Sequence, residues 1–197
     1  MTMETGFRLA LFAIIVATMS VGGYFRVKAA ASGERISHRA EGYLFAFVLR
    51  MFGLGTWLSI FAWLVSPESV AWANVPLPVA VRFVGVAVGM WAPVLMYWTL
   101  STLGKNLTDT VVTRTGATLV TQGPYRWVRH PFYLTAGLVL LSATLIAANG
   151  MIGLCSLLIL MMLAIRTPKE ERMLIERFGD EYRNYQSRTG RFFPRIG

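Results

Sequence analysis

The stretch Gly123-Pro124-Tyr125-Arg126-Trp127-Val128-Arg129-His130-Pro131-Phe132-Tyr133 packs arginines, aromatic rings and one of the chain's 2 histidines between two hydrophobic runs. An imidazole exchanges a proton near neutral pH, guanidinium groups bind carboxylates or phosphates, and aromatic rings stack on ligands or cations. A second polar cluster, Arg166-Thr167-Pro168-Lys169-Glu170-Glu171, begins where the last hydrophobic run ends. Within it Arg166 and Glu170 share a face of any continuous helix, being one turn apart. Singly, these residues have ordinary roles. His130 suits an aromatic belt with Trp127, Phe132 and Tyr133, Arg126 and Arg129 suit cytoplasmic anchors, and Arg166–Glu170 suits a surface ion pair. Their joint occurrence at the two ends of one hydrophobic run suggests instead a ligand site in an enzyme embedded in a bilayer.

Whether the clusters meet depends on the elements between them. The chain has 197 residues, of which 55% are hydrophobic and 15% charged, with a mean hydropathy of +0.52. Such a composition belongs in a membrane rather than in a soluble domain. A crossing needs about 20 apolar residues, and Phe7 to Phe25, Tyr43 to Ser66, Leu77 to Leu103 and Phe132 to Ile165 supply them. The last run would reach roughly 50 Å as one helix, against a hydrocarbon core of about 30 Å. Asn149-Gly150 lies midway along it and tolerates positive φ. The sequence therefore predicts an all-α, polytopic fold with five transmembrane helices at 7–25, 43–66, 77–103, 132–148 and 151–166, the last two forming a helical hairpin. Segments 104–131 and 167–197 remain outside the spans, the latter as an amphipathic helical tail, and the whole reads as a single domain.

Charge placement gives the orientation, because cytoplasmic loops collect Lys and Arg. Loop 26–42 carries Arg26, Lys28, Arg35 and Arg39, loop 104–131 carries Lys105, Arg114, Arg126 and Arg129, and the tail from Arg166 is also basic. Pro67 to Pro76 and the Asn149 turn carry no basic residue. This pattern predicts an outside amino terminus, a cytosolic carboxyl terminus and both polar clusters on the cytosolic side. The formal charge of +9 is absorbed by this topology and by anionic headgroups, which argues against a nucleic-acid partner. Cys155 has no second cysteine to pair with, and no metal set can be built around it. Phe7 to Phe25 is longer than a signal h-region and reads as a retained helix. Asn106-Leu107-Thr108 matches a glycosylation acceptor but falls on the cytosolic side.

Local signals refine the two clusters. His130 before Pro131 is biased to extended backbone, and proline suits the first turn of the next helix. Loop 104–131 carries Val111, Val112, Leu119, Val120 and Val128 as apolar anchors, and Gly116, Gly123 and Pro124 as turn residues. Thr167-Pro168-Lys169-Glu170 has the form of a capping box, predicting a fresh helix after a kink. Met173, Leu174, Ile175 and Phe178 form its apolar stripe, expected to lie along the membrane or over loop 104–131. Arg50 and Arg82 lie within spans, where charge is costly. Arg82 is near its helix start and can snorkel, whereas Arg50 is expected to face a polar cavity near His38, Arg39 and Glu41.

The pattern Leu119-Val120-x-x-Gly123-Pro124-Tyr125-Arg126-x-Val128-Arg129-His130-Pro131-x-Tyr133, followed by Glu170-Glu171-x-x-Leu174-x-x-x-Phe178-Gly179-x-Glu181-Tyr182-x-x-Tyr185, resembles the isoprenylcysteine carboxyl methyltransferase and phospholipid methyltransferase superfamily of integral membrane enzymes. The resemblance covers the carboxyl-terminal half; the rest matches only in hydropathy. It implies S-adenosylmethionine as methyl donor, held on the cytosolic side between the histidine-proline loop and the tail. It further implies that His130, Tyr133 and Glu171 contact the cofactor, that Pro131 shapes the loop, and that backbone around Leu119, Val120 and Gly123 lines the adenine. Tyr182 and Tyr185 would close the pocket, with Tyr125 and Arg129 completing the cofactor-binding set. Arg166 and Glu170 fall where the family's methyl esterases place a catalytic pair that positions the acceptor. Thr135 departs from the pattern, which often has glycine there.

The expected acceptor is lipophilic or lipid-linked, an isoprenylcysteine-like carboxylate being favoured over a lipid amine, and it would enter from the membrane lipid. Two other classes remain open in the sequence. Sterol reductases resemble this membrane core but use NADPH, for which the short loop and tail leave little room. A non-enzymatic assembly or transport protein should show paired halves or broken midplane helices. Gly53-Leu54-Gly55 and Gly85-Val86-Ala87-Val88-Gly89 offer surfaces for a homodimer, and equally for packing within one chain.

Overall fold

A computed structural model describes residues 2–30, 43–104 and 118–195. Lys105, the Asn106 acceptor motif, Val111, Val112, Arg114 and Gly116, together with Arg35, His38, Arg39 and Glu41, lie outside the described residues. The described chain forms helices α1 (Met3–Ala30), α2 (Tyr43–Val65), α3 (Val79–Leu103), α4 (Pro131–Ala147), α5 (Gly150–Phe178) and α6 (Asp180–Arg188). Two 3₁₀ segments, Pro67–Ala73 and Gly123–Arg126, precede α3 and α4. Helix α2 packs on α5, α5 on α4 and α4 on α3, with α1 lodged against α3 and α4. Phe7, Leu11, Ile14 and Ile15 of α1 meet Ile60 and Trp63 of α2, Ala143, Ile146 and Ala147 of α4, and Ile152 of α5 in one buried cluster. Large apolar residues such as Phe12, Phe61, Trp91 and Leu157 point outward, the arrangement of helices whose solvent is lipid.

Among the described residues 4 helices, α1, α2, α3 and α5, are long and apolar enough to cross a membrane, while α4 is a shorter apolar helix. Its 17 residues give about 26 Å, so the five-crossing expectation depends on α4 spanning at slightly less than full thickness. The molecule is a multi-pass membrane protein.

The hairpin forms, but its turn chemistry differs from the sequence expectation. Positive φ falls on Ala148 (φ 48°), not on Asn149-Gly150. Asn149 instead caps α5, its Oδ1 accepting from the Met151 and Ile152 amides at 3.1 and 3.3 Å. Its Nδ2 donates to the Val70 carbonyl at 2.9 Å and to Asn74 Oδ1 at 3.2 Å, and the Val75 amide donates to the Ala148 carbonyl at 2.8 Å. The buried asparagine thus ties the hairpin to the 3₁₀ segment, and a Cβ on Gly150 would come within 3.3 Å of the Ala73 carbonyl oxygen, a tight contact. Asn149→Ala is expected to lower stability by about 2–4 kcal/mol, through loss of the cap and an orphaned buried carbonyl. Unfolding of the detergent-solubilised protein measures this.

The small-residue face of α3 is spent inside the chain, which corrects its use as a dimer surface. A Cβ on Gly85 would come within 2.8 Å of Leu145 Cβ, and one on Gly89 within 2.3 Å of Ser142 Oγ. The absent side chains let α3 approach α4 closely. Gly55 faces Cys155 Sγ at 3.6 Å, whereas Gly53 faces open space.

One charged residue inside the spans, Arg82, also departs from expectation. Arg82 does not snorkel: its guanidinium pairs with both carboxylate oxygens of Glu4 at 2.8 and 3.0 Å, and Nε donates to the Ile146 carbonyl at 2.8 Å. It also lies over the Phe7 ring at 4.1 Å, so α1 supplies the partner that the sequence of α3 alone could not indicate. Arg50 is exposed on α2, and the residues expected beside it, His38, Arg39 and Glu41, lie outside the described residues.

Candidate functional site

The doubling back of the run after Tyr133 brings the start of α4 beside the carboxyl-terminal half of α5. His130 occupies the cap position of α4 with φ −122° and ψ 60°, and Pro131 opens the helix, where its missing N–H costs nothing. The proposed break at Thr167-Pro168 does not occur. Helix α5 continues from Gly150 to Phe178 through Pro168, and the Thr167 hydroxyl donates back to the Leu163 carbonyl at 2.8 Å instead of capping a new helix. At about 44 Å, α5 is longer than a hydrocarbon core, and its charged end from Arg166 stands beyond the apolar part. The continuous helix frees Glu170 from a capping role and puts it on one face with Arg166.

Two carboxylates organise the site. Glu170 Oε1 accepts from Tyr133 Oη at 2.5 Å and Arg166 Nε at 2.7 Å, and its Oε2 lies 3.6 Å from His130 Nδ1. Glu171 is buried. Its Oε1 accepts from Arg129 Nε at 2.8 Å and lies 3.4 Å from His130 Nε2, while Oε2 accepts from Arg191 Nη2 at 2.9 Å and Gln186 Nε2 at 3.2 Å. Burial alone would push the Glu171 carboxyl upward. The hydrogen bonds from His130, Arg191 and Arg129, with the Arg129 charge, outweigh it and hold the group well below the usual carboxylate range. Since the folded value lies below the unfolded one, this stabilisation is present above about pH 4.3 and is lost as pH falls through the folded value.

The tail folds over the loop before α4. Arg129 N donates to the Gly190 carbonyl at 2.9 Å, His130 N to the Arg191 carbonyl at 3.1 Å, and Gly190 N to the Trp127 carbonyl at 3.1 Å. Arg129 Nη1 reaches the Gln186 carbonyl at 3.1 Å and also the Thr189 carbonyl. Tyr185 Oη donates to the Tyr125 carbonyl at 2.7 Å, fixing α6 on the 3₁₀ segment. Burial pushes the phenols of Tyr125, Tyr182 and Tyr185 up, so they act as neutral hydroxyls. Gly123 has φ +56°, and a Cβ there would lie 2.5 Å from Thr102 Oγ1, so only glycine lets this turn sit on the end of α3.

Of the residues singled out in the sequence, Arg129, His130, Pro131, Tyr133, Arg166, Glu170 and Glu171 converge, with Tyr125, Tyr182 and Tyr185 packed under the tail. Leu119 and Val120 are half-buried in the segment before the 3₁₀ turn and make no hydrogen bond to the carboxylate cluster among the described residues. Gln186, Thr189, Arg191 and Phe192 were not foreseen. Phe192 lies 5.9 Å from the His130 ring and 6.5 Å from that of Tyr133, which themselves stack at 5.5 Å. Gly190 and Pro194, bracketing Arg191-Phe192-Phe193, were the available turn signal. A cleft of about 330 Å³ lined by Glu4, Trp63, Asn74, Arg82 and Ala148 lies at the other end of α4 and holds none of these groups.

A multi-pass helical bundle that builds a buried arginine–carboxylate–histidine cluster from the mouth of one helix hairpin and a folded-back tail defines the class. The family model of the isoprenylcysteine carboxyl methyltransferase (ICMT) family matches residues 84–176, the segment that carries both clusters. Over 95% of its length the chain is similar to the structure of the eukaryotic intramembrane Ras methyltransferase ICMT, with a TM-score of 0.55 and 24% identity, covering 68% of that chain. It is 27% identical over 146 residues to protein-S-isoprenylcysteine O-methyltransferase of Homo sapiens, 73% of this chain and 50% of that protein. It is 32% identical over 91 residues to protein YpbQ of Bacillus subtilis (strain 168), 46% of this chain and 54% of that protein. The chain spans about half the length of the curated relatives it matches. The chain is thus similar to the isoprenylcysteine carboxyl methyltransferase family over residues 84–176, and it shares the fold of the solved ICMT structure.

Proposed function

We propose that this protein is a membrane methyltransferase that uses S-adenosylmethionine to methylate a lipophilic or lipid-linked acceptor, with an isoprenylcysteine-like carboxylate favoured over a lipid amine. The observation that carries this reading is the convergence of Arg129, His130 and Tyr133 at the mouth of α4 with Arg166, Glu170 and Glu171 on α5. The donor set suits the cofactor. Guanidinium, carboxylate and aromatic groups lie side by side, as an amino-acid terminus, a ribose and an adenine require, and the Tyr182 hydroxyl is buried with no hydrogen-bond partner among the described residues. His130, Tyr133 and Glu171 would hold it with Tyr125, Arg129, Tyr182 and Tyr185 around them, and backbone near Leu119, Val120 and Gly123 would line the adenine.

When bound, S-adenosylmethionine supplies an electrophilic methyl group on a sulfonium. The chain's contribution is alignment, which is worth about 7–11 kcal/mol when the reacting groups are well oriented. Arg166, held by Glu170 on the half-buried face of α5, orients an acceptor carboxylate, which needs no base. An amine acceptor would need one, and Glu170 or His130 would take its proton. Five crossings with an outside amino terminus and a cytosolic carboxyl terminus would put this site at the cytosolic face, where a soluble donor and an acceptor from the bilayer can meet.

Transfer of labelled methyl from S-adenosylmethionine to total lipid extract and prenylcysteine analogues tests the reading. A base-labile, volatile labelled product is expected for a carboxylate acceptor, and a base-stable lipid product would assign the acceptor to nitrogen. Absence of donor binding by the solubilised protein would remove the proposal.

A further inference from the structure

We propose that Arg191 is a further binding residue of the donor site, recognising the carboxylate of the cofactor's amino-acid end; this rests on the methyl-donor reading above. Three guanidinium groups, those of Arg129, Arg166 and Arg191, share the cluster with two carboxylates, Glu170 and Glu171. Within that cluster, among the described residues, Glu171 is shared by two guanidinium groups, those of Arg129 and Arg191, an arrangement that suits a further anionic group supplied by the ligand. Arg129 is not the group that meets it, because its side chain is only 8% exposed and is spent on Glu171 and on tail carbonyls. Arg191 is 44% exposed. Its Nε and Nη2 face Glu171 at 3.4 and 2.9 Å, which fixes the guanidinium plane and leaves the Nη1 end directed away from that carboxylate.

The position of Arg191 is built into the backbone. The chain turns so tightly between Gly190 and Phe193 that a Cβ on Gly190 would lie 1.6 Å from the Phe193 carbonyl oxygen. The same turn hydrogen-bonds to Arg129 and His130 and sets Phe192 against the His130 and Tyr133 rings. Arg191 thus stands at the rim of the cluster on a turn that only glycine permits.

The experiment compares S-adenosylmethionine with its decarboxylated analogue, which differs only by the group in question, on the detergent-solubilised full chain. The wild type is expected to bind the intact cofactor about 10-fold more tightly, the scale of a charge-assisted hydrogen bond. Arg191→Met should bring the two affinities together, and Arg191→Lys should retain part of the preference. Gly190→Ala, which keeps the arginine but forces the turn open, should also reduce it. An unchanged preference in Arg191→Met overturns the proposal, even when both affinities fall equally, because that outcome makes Arg191 structural only. So does a wild type with no preference. If Arg191→Met binds neither ligand, an undiminished preference in Arg191→Lys overturns it. A wild type that binds neither ligand sinks the methyl-donor reading itself, whereas loss of the Arg191 effect alone leaves that reading intact.

Discussion

Glu171→Gln is expected to reduce S-adenosylmethionine affinity at least about 100-fold and to release the tail, while the membrane bundle stays folded. The carboxylate is the shared acceptor for Arg129, Arg191, Gln186 and His130. Glutamine keeps the shape but removes the charge, and its amide NH₂ must face donors. Arg129, almost wholly buried, is left without its counter-charge, a loss of about 3–5 kcal/mol for a broken buried pair. Each 1.4 kcal/mol is about tenfold in affinity. The cost falls on the docking of α6 and the residues after it, since α1 to α4 take no part in these bonds apart from His130 at the α4 cap. Equilibrium donor binding and hydrogen exchange check both halves: fast exchange over residues 180–195 with unchanged protection in α3 and α4 is the expected result. Normal binding together with a protected tail would show that Glu171 is not the anchor of the site.

Arg166→Met and Glu170→Gln are expected to act on the opposite side of the cluster, lowering methyl transfer about 10²- to 10³-fold while changing donor affinity little. Glu170 holds Arg166 and Tyr133 through one oxygen, at 2.7 and 2.5 Å, so either substitution loosens the group that is to orient the acceptor. Misplacement of a positioned reactant by about 1 Å costs on the order of 100-fold. Labelled-methyl kinetics paired with donor titration separate the two roles. A proportional loss of donor affinity in both variants would move Arg166 and Glu170 into the donor site and remove their assignment to the acceptor.

The dependence of these expectations on α5 shows where sequence reading succeeds and where it stops. Apolar length predicted the helices, because a bilayer core admits few alternatives to a helix of about 20 residues. The hairpin was also legible, since the run after Tyr133 is too long for one crossing. Its turn was misassigned by one residue: Asn149 serves better as a cap that also bonds Val70 and Asn74, partners whose approach no local signal reveals. The capping box at Thr167 failed for the same kind of reason. A local motif competes with continuation of the helix, and the pairing of Arg166 and Glu170 with Tyr133, along with Glu171 and the tail, requires the continuous helix.

By itself the sequence determined the helical membrane architecture and the residue types at both ends of the last hydrophobic run, because hydropathy, charge bias and motif spacing are properties of neighbours along the chain. Only the tertiary structure decided that Arg82 pairs with Glu4, that the Gly85–Gly89 face is consumed by α4, and that Arg191 and Phe192 complete the cluster. Those contacts join residues far apart in the chain, and their geometry is set by how closely helices pack and where buried charges find partners, which no local pattern encodes.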